Sequence, residues 1–290
     1  MNNKTLRYFA AMSIACLACL PELVNALPVN LGSAGSGNWT VLQIGTGKID
    51  MSNPAGLAAG NIGVYAGGKL QSSGPDVIGN LSLGTGSTAT FSGGANVTGS
   101  TFQNAASQTL LNQARSDAIA AAGAAKSLSG TTIAAGITSD QTLSPGVYFL
   151  PKIDLNSGET LTLSGSVLDS FVFNISDDFK LNGSDIVLTG GLLEENVLFN
   201  YYGTHDVSFS GGGNSSELHG IILSLGNKVS LSPGLVVGEI ISDMDISIVS
   251  GAQVNSPPAS VPETSSTLLL SCIGLVLLAV FGAARKTAGA

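Results

Sequence analysis

The chain has 290 residues, of which only 10% are Asp, Glu, Lys or Arg, and its formal net charge is −8 at pH 7. Ordinary globular domains carry about 25% charged residues. The few basic residues form no stripe, which argues against a nucleic-acid-binding protein. The abundance of Val, Ile and Thr argues against a disordered chain, because disorder goes with few β-branched residues.

The first segment has the layout of a secretory signal peptide. Lys4 and Arg7 precede an apolar run over 8–20 that is too short to span a membrane. Val24, Asn25 and Ala26 place small or modest side chains at the positions that precede a cleavage site. They predict a signal peptide over 1–26 that is cleaved after Ala26. The signal implies export across the inner membrane.

All three cysteines, Cys16, Cys19 and Cys272, lie in the signal or in the C-terminal apolar segment. The exported body is therefore predicted to have no disulfide, and its stability must come from packing and hydrogen bonds. Lipidation at Cys19 is a minor alternative to ordinary cleavage of the signal.

Short runs rich in β-branched residues, each closed by Gly, Asn, Ser or Asp, recur along residues 27–251. Examples are TVLQIG (40–45), TATFSGG (88–94), TLTLSG (160–165), DSFVFNIS (169–176) and DISIVSG (245–251). Their length and the regular turn residues predict an all-β body. A β-sandwich and a β-solenoid both fit. Gly at nearly every corner favours the solenoid, because glycine adopts left-handed corner conformations without a Cβ clash.

One segment breaks the strand pattern. Residues 100–128 are rich in alanine, and apolar residues recur every four positions at Phe102, Ala106, Leu110, Ala114 and Ala118, with Leu111 widening the stripe. This pattern predicts an α-helix over about 100–128 that packs against the flank of the β body. Ser100 or Thr101 is the predicted N-cap, and Gly123 is expected to weaken or end the helix.

The C-terminal part combines a linker, an apolar run and two cations. Residues 252–264 are small, polar and Pro-rich, which is typical of a linker. Residues 265–286 are predicted to form a transmembrane helix with a basic tail, because its uncharged run is long enough to cross about 30 Å of hydrocarbon. Arg285 and Lys286 would stay cytoplasmic by the positive-inside rule.

The order of Val261, Pro262 and Glu263, an apolar span and a basic tail resembles the PEP-CTERM sorting signal of Gram-negative bacteria. The resemblance implies that an exosortase, which is a membrane enzyme, recognises this tail and removes it during export to the cell surface. Thr264 departs from the family, which most often has a second proline there. Proteins with this signal often accompany exopolysaccharide production.

The sequence offers no catalytic constellation, and we predict that the protein is not an enzyme. No GxSxG, P-loop or HExxH motif is present, and the two histidines, His205 and His219, lack the spacing of a zinc site. His205 beside Asp206 is best explained as part of a solvated turn. No catalytic residue and no cofactor is assigned.

Two acidic groups are interpreted as surface features. Asp177, Asp178 and Asp185 could hold Ca²⁺, but the repeat that supplies ligands in calcium-binding β-rolls is absent, so surface turns are favoured. Glu194 and Glu195 are interpreted as a charged loop that keeps the body soluble. No metal site is therefore assigned.

Several motifs arranged around the single Ala-rich helix resemble known families. They are LSPGVY (143–148), LTLSG (161–165), NVLFN (196–200), GIILS (220–224) and VVGEIIS (236–242). Together they resemble the bacterial ice-binding-like domain and the surface proteins called choice-of-anchor A. The resemblance implies a right-handed β-solenoid of triangular section with one flanking helix and about ten rungs of roughly 20 residues.

Two functional hypotheses of different classes follow. The favoured one is an exported, exosortase-processed surface or matrix protein, structural or adhesive, associated with exopolysaccharide or biofilm. The alternative, implied by the resemblance, is an ice-binding protein of the antifreeze type, although the sequence lacks repeated Thr columns. A carbohydrate-active enzyme is the least favoured class. The predicted partners are an exosortase, exopolysaccharide or ice, and the inner membrane before processing, but no nucleic acid.

Overall fold

The computed structural model describes residues 28–35, 37–52, 57–211 and 216–256, which belong to one compact unit. The predicted signal peptide with Ala26, the sorting motif Val261–Glu263 and the predicted span with Arg285 and Lys286 lie outside the described residues. Among the helices of the described part, none has the length and apolar character needed to cross a membrane.

The described chain contains twenty-two strands, one α-helix and two short 3₁₀ helices, Gly32–Ala34 and Glu194–Asn196. Before the helix come β1 (Val41–Gln43), β2 (Lys48–Ser52), β3 (Leu57–Ala59), β4 (Ile62–Val64), β5 (Lys69–Ser73), β6 (Val77–Ile78), β7 (Leu81–Leu83), β8 (Thr88–Ser92) and β9 (Thr101–Phe102). The helix is α1 (Ala105–Ser127). After it come β10 (Thr131–Thr132), β11 (Gln141–Leu143), β12 (Gly146–Leu155), β13 (Thr160–Ser164), β14 (Phe171–Asn182), β15 (Asp185–Thr189), β16 (Val197–Tyr201), β17 (Val207–Ser210), β18 (Ser216–Ser224), β19 (Val229–Ser232), β20 (Gly234–Ser242), β21 (Ile246–Ile248) and β22 (Gln253–Asn255).

The strands form three columns of parallel strands, which we call faces A, B and C. Face A stacks β9, β7, β4, β1, β20, β18, β16, β14, β12 and β10 in that order. Face B stacks β8, β5, β2, β21, β19, β17, β14 and β12. Face C stacks β6, β3, β22, β20, β18, β15, β13 and β11. The long strands β12 and β14 turn the corner from face A to face B, and β18 and β20 turn from face C to face A.

This arrangement confirms the predicted solenoid-like β body with one helix. Face A has ten strands and faces B and C have eight each, so the ten rungs expected from the sequence are not all complete on the three faces. The predicted role of corner glycines is visible at Gly220 and Gly238, where φ is 142° and 148°. A Cβ on Gly238 would lie 1.9 Å from the carbonyl oxygen of Gly220, so successive rungs approach too closely there for any side chain.

The stacking order does not follow the chain order. In the first rung, β1 pairs with β20, β2 with β21 and β3 with β22, for example through Val41 and Ile240. We call this boundary between the first and last rungs the seam. The rungs of β1–β9 extend from the seam in one direction, and those of β10–β22 extend in the other. Helix α1 links the two far ends, and its 23 residues span about 35 Å, comparable with about 43 Å for ten stacked strands.

Alternate side chains of every face point inward and fill one continuous core. On the side of β10–β22 this core contains aromatic rings from successive rungs. Phe173 and Phe199 are register partners, and their rings stack with centroids 5.0 Å apart and planes inclined by 7°. Such a stack fixes the register of neighbouring strands, because a slip by one residue would turn every inward side chain to the solvent.

The start and end of α1 differ from the prediction. Asn104 is the N-cap, because its Oδ1 accepts from Ser107 N and Ser107 Oγ accepts from Asn104 N, both at 2.9 Å. This reciprocal pair satisfies N–H groups that the first helical turn leaves unpaired. Thr101 lies in β9 instead, so the predicted caps Ser100 and Thr101 were wrong. The helix also continues through Gly123 to Ser127, since its last turns pack on face A.

The helix face in contact with the β body agrees with the predicted stripe at Leu111, Ala114 and Ala118 and departs from it towards the N-terminus. The buried positions are Leu111, Ala114, Ala118, Ala121, Ala122 and Ala125, together with Ser107. Phe102 and Leu110 of the predicted stripe are 43% and 39% exposed. A strict four-residue step drifts by about 40° per turn around a helix of 3.6 residues per turn, so it cannot stay on one side.

The predicted linker begins too early, because β22 belongs to the solenoid. Val254 is fully buried, whereas Gln253 and Asn255 point outward on face C. The strand pairs with β20 on one side and β3 on the other. Its single apolar residue among small polar ones explains why the sequence resembles a linker there.

Candidate functional site: the open faces of the solenoid

Face A is covered. Its outward side chains form a second apolar cluster with α1 and with four residues of the N-terminal segment. The face A members include Leu42, Val172, Leu198, Ile221 and Ile241, and the N-terminal members are Val29, Leu31, Ala34 and Trp39. Small alanine side chains allow α1 to lie close against these larger residues. A face buried in this way offers no surface to a large ligand, which leaves faces B and C.

Two buried asparagines fix the helix on face A. Asn174 Nδ2 donates to Ala125 O at 2.9 Å, and Asn200 Nδ2 donates to Ala122 O at 3.1 Å and to Asn174 Oδ1 at 2.8 Å. These carbonyls lie near the C-terminal end of α1, where carbonyl groups begin to lack helical partners. The asparagines therefore set the position of the helix along the column.

Face B is a regular lattice of side chains in register. Its middle outward column runs Thr90, Gln71, Asp50, Ser247, Ser230, Ser208, Lys180 and Asp154. A neighbouring column contains Ser92, Ser73 and Ser52 on one side of the seam and Ser232, Ser210 and Asn182 on the other. Positions repeat at about 4.8 Å along a column and about 6.8 Å between columns. The inward residues between them, such as Met51 and Leu231, are fully buried, so the lattice is anchored from behind.

Face B carries charges of both signs. Its strands bear Lys48, Lys69, Lys152 and Lys180 beside Asp50, Asp154 and Asp178, and further acids, including Asp177, Asp206, Asp243 and Asp245, lie at the adjoining corners. Several are close pairs: Lys48 Nζ lies 2.6 Å from Asp50 Oδ2, and Lys180 Nζ lies 2.7 Å from Asp178 Oδ1.

Face C is less regular. Its outward column includes Thr142 and Thr162, which are register partners, and then Val237, Asn255 and Ile78 further along. Two of its strand pairs, β15 with β18 and β3 with β6, have only two register partners each. The two segments with paired threonines lie on different faces, since TLTLSG (160–165) belongs to face C and TATFSGG (88–94) to face B.

The structure places the predicted surface acids in two separate groups. His205 Nδ1 lies 3.2 Å from Asp177 Oδ1 and 3.3 Å from Asp178 Oδ1, at the corner between faces A and B. Asp206, the neighbour suggested by the sequence, instead accepts a hydrogen bond from Lys228 N at 3.2 Å. Burial raises the pKa of the nearby Tyr201 to about 12, so this hydroxyl stays protonated.

The second group lies at face C. Asp185 Oδ1 accepts from Glu217 N at 3.2 Å, and burial raises the pKa of Asp185. His219 lies between two carboxylates, with Nδ1 3.0 Å from Glu194 Oε1 and Nε2 2.8 Å from Glu217 Oε1. Glu194 is therefore a structural partner of His219, and its interpretation as part of a solubilising loop was wrong.

Sequence reasoning missed the serine lattice of face B, although its signal is present. The strands VSFS (207–210), VSLS (229–232) and ISI (246–248) share one alternation, with apolar residues inward and serine outward. Each strand alone is an ordinary half-buried strand. Only the register shows that their serines stand side by side.

A protein-family model described as ice-binding-like matches residues 44–255. No curated protein matches the sequence. The fold is similar to that of an ice-binding protein from an Arctic yeast, with a TM-score of 0.58 and 23% identity over 81% of this chain and 97% of that chain.

An ice-binding protein from the Antarctic ascomycete Antarctomyces psychrotrophicus is similar at a TM-score of 0.55 and 20% identity, over 80% of this chain and 99% of that chain. The DUF3494 domain of Shewanella frigidimarina ice-binding protein 1 gives a TM-score of 0.55 and 18% identity, over 80% and 98%. At these identities the structural likeness establishes the fold, and the match of the family model over most of the sequence shows that the chain belongs to the ice-binding-like family.

Proposed function

We propose that the protein binds ice and that face B is the binding surface. The observation that carries the proposal is the outward lattice of serines, in register over successive parallel strands on a fully buried backing. The family match and the ice-binding proteins with the same fold support this hypothesis over the exopolysaccharide or biofilm hypothesis, which rests on the C-terminal sequence alone.

The lattice suits a ligand that is itself a repeating array of water molecules. Serine hydroxyls donate and accept hydrogen bonds, so each can replace a water molecule at its lattice position. Each contact is weak, and affinity would come from many contacts formed at once by a surface that is already ordered. The rigid core behind face B keeps the entropic cost of that order low.

Face B is preferred over face C for three reasons. Its strand pairs, at the seam and on both sides of it, have three to five register partners each, so the side chains hold a longer repeat. Several of its charges stand in pairs of opposite sign, so fewer isolated ions disturb the adjacent water. Face C is interrupted by His219 and its contacts with Glu194 and Glu217.

The test compares two substitutions of equal bulk on the two open faces. We expect Ser230→Tyr, at the centre of face B, to abolish most of the thermal hysteresis and the shaping of ice crystals by the purified protein. Thr162→Tyr on face C should leave both unchanged. Circular dichroism and melting temperature establish that each variant is folded.

Two results would contradict the proposal. Loss of hysteresis in Thr162→Tyr but not in Ser230→Tyr would place the surface on face C. Absence of hysteresis and of crystal shaping in the unmodified protein would remove ice as the ligand, and retention on isolated exopolysaccharide would then favour the matrix hypothesis.

We further propose that the chain is exported and that an exosortase processes its tail, as the sequence predicts. The mass of the C-terminal peptide in the native host tests this step. A terminus near Glu263 would support processing, whereas a terminus at Ala290 would indicate a permanent anchor. An N-terminus at Leu27 would support cleavage after Ala26.

A further inference from the structure

The two histidines meet carboxylates in different ways. His219 has one carboxylate at each ring nitrogen, Glu194 at Nδ1 and Glu217 at Nε2, at 3.0 and 2.8 Å. A protonated imidazole donates one hydrogen bond from each nitrogen, so this arrangement is complete as an ion bridge.

His205 has both carboxylates at the same nitrogen. Asp177 Oδ1 and Asp178 Oδ1 lie 3.2 and 3.3 Å from Nδ1. Because Nδ1 carries at most one proton, it cannot donate a well-directed hydrogen bond to both oxygens. The three atoms lie within 4.8 Å of one another, so all of them can reach a common cation at about 2.0–2.2 Å after small side-chain adjustments.

The local charges and hydrogen bonds favour a cation at this point. Asp178 Oδ1 is buried and accepts no well-directed hydrogen bond, and its neighbouring charge is the ammonium of Lys180 at 2.7 Å. Asp154, the register partner of Lys180, adds a third carboxylate to the group. Lys152, the register partner of Asp178, places its ammonium 3.9 Å from Asp154, so three carboxylates face two ammonium groups. The group therefore keeps a net negative charge when His205 is neutral.

The backbone positions of the group are held by a buried tyrosine. Tyr201 Oη lies 2.5 Å from the carbonyl oxygens of Asp177 and His205, to either of which it can donate its single proton, and it accepts from His205 N at 3.3 Å. The side chain of Tyr201 is fully buried. The corner of β14 and the loop after β16 are therefore kept together before any ligand arrives.

We propose that Asp177, Asp178 and His205 bind a divalent transition-metal cation of the Zn²⁺ class. One imidazole nitrogen with two carboxylate oxygens is a donor set typical of Zn²⁺ and Co²⁺, whereas Ca²⁺ and Mg²⁺ favour oxygen alone. Lys180 has to leave Asp178 for Asp154 when the cation binds. The site lies at the corner beside face B and does not depend on ice binding.

The experiment titrates the full chain with Zn²⁺ by calorimetry and with Co²⁺ by visible absorption, in metal-free buffer. We expect one cation per chain, and loss of that binding in His205→Ala and in Asp178→Asn. His219→Ala is the matched control, since it removes the other imidazole between carboxylates and should bind like the unmodified protein. Lys180→Gln should strengthen binding, because it removes the competing ammonium. Melting temperatures confirm that the variants are folded.

An absence of saturable binding would show that His205 forms an ion pair only. Binding that survives His205→Ala would place the cation elsewhere, for example at the cysteine thiols. Weaker binding in Lys180→Gln would also overturn the assignment, because the lysine would then be supporting the site. None of these results depends on hysteresis, so the metal site and the ice-binding face are tested separately.

Discussion

Faces A and B are both columns of parallel strands, and β12 and β14 contribute residues to both, yet only face A lies under the helix. The difference resides in the outward positions, which are Leu, Ile and Val on face A and Ser, Lys and Asp on face B. The parallel strands alone therefore do not determine what covers a face. The outward residues decide whether a face is sealed by the chain itself or left open to the surroundings.

The largest effect is expected from placing a charge on the covered face. Leu198 is fully buried between β16 and α1, so Leu198→Asp would bury an unpaired carboxylate and should cost about 4 kcal/mol or more, or prevent folding. Ser208→Asp on face B is the matched control and should be nearly neutral, since its register partner is Lys180. Urea unfolding measures both. Equal losses in the two variants would contradict the distinction between the faces.

The next effect concerns Glu239, which is fully buried with neither carboxylate oxygen hydrogen-bonded in the described part of the chain. Burial raises its pKa well above 4.5. Because the folded state holds this proton more tightly than the unfolded state, the contribution of Glu239 to stability is fully present below the unfolded pKa of 4.5. This contribution is lost as the pH rises through the folded pKa. Compared with Glu239→Gln, the unmodified protein should lose up to about 1.4 kcal/mol per pH unit above pH 4.5.

The measurement is the free energy of unfolding of both proteins from pH 4 to 8. The two curves should converge at the acidic end and diverge towards neutral pH, with the Gln variant more stable. Parallel curves would show that Glu239 reaches solvent or a cation partner, and Glu239 would then not be a buried, unpaired acid.

A smaller effect is expected at the helix attachment. Asn200→Ala removes two donated hydrogen bonds and leaves Ala122 O and Asn174 Oδ1 buried without that donor, which should cost about 1–3 kcal/mol. Asn182→Ala, at the exposed edge of face B, should change stability by no more than about 0.5 kcal/mol. Thermal unfolding of the pair is sufficient. A loss at position 182 equal to that at 200 would indicate that face B is sealed as well.

The smallest effect on stability is expected from Ser230→Ala. The side chain points outward and contributes nothing to the core, so the free energy of unfolding should stay within about 0.5 kcal/mol of the unmodified protein. Hysteresis should fall, but less than in Ser230→Tyr, because one hydroxyl is missing while the surface keeps its shape. A large loss of stability would mean that the hydroxyls of face B support the fold.

The local elements of this fold could be predicted from the sequence, and its long-range order could not. The β-strand runs and the Ala-rich helix were predictable because their apolar periodicity and turn residues are local signals. The N-cap at Asn104 was missed because β9 occupies the residues that resemble a cap. The seam, the pairing of serines across face B and the meeting of His205 with Asp177 all depend on register between distant segments, which no local pattern encodes.

The seam imposes an order of events on the nascent chain. Val41 reaches its partner Ile240 only after about 200 further residues have been made, so the first rung waits with one edge unpaired while the rest of the column is built. Closing so long a loop adds little entropy cost over a shorter one, but pairing over such distances is slow. An unpaired parallel edge is also a template for strands of other chains. Newly synthesised molecules are thus most prone to aggregate in the interval before residues 234–255 arrive to close the column.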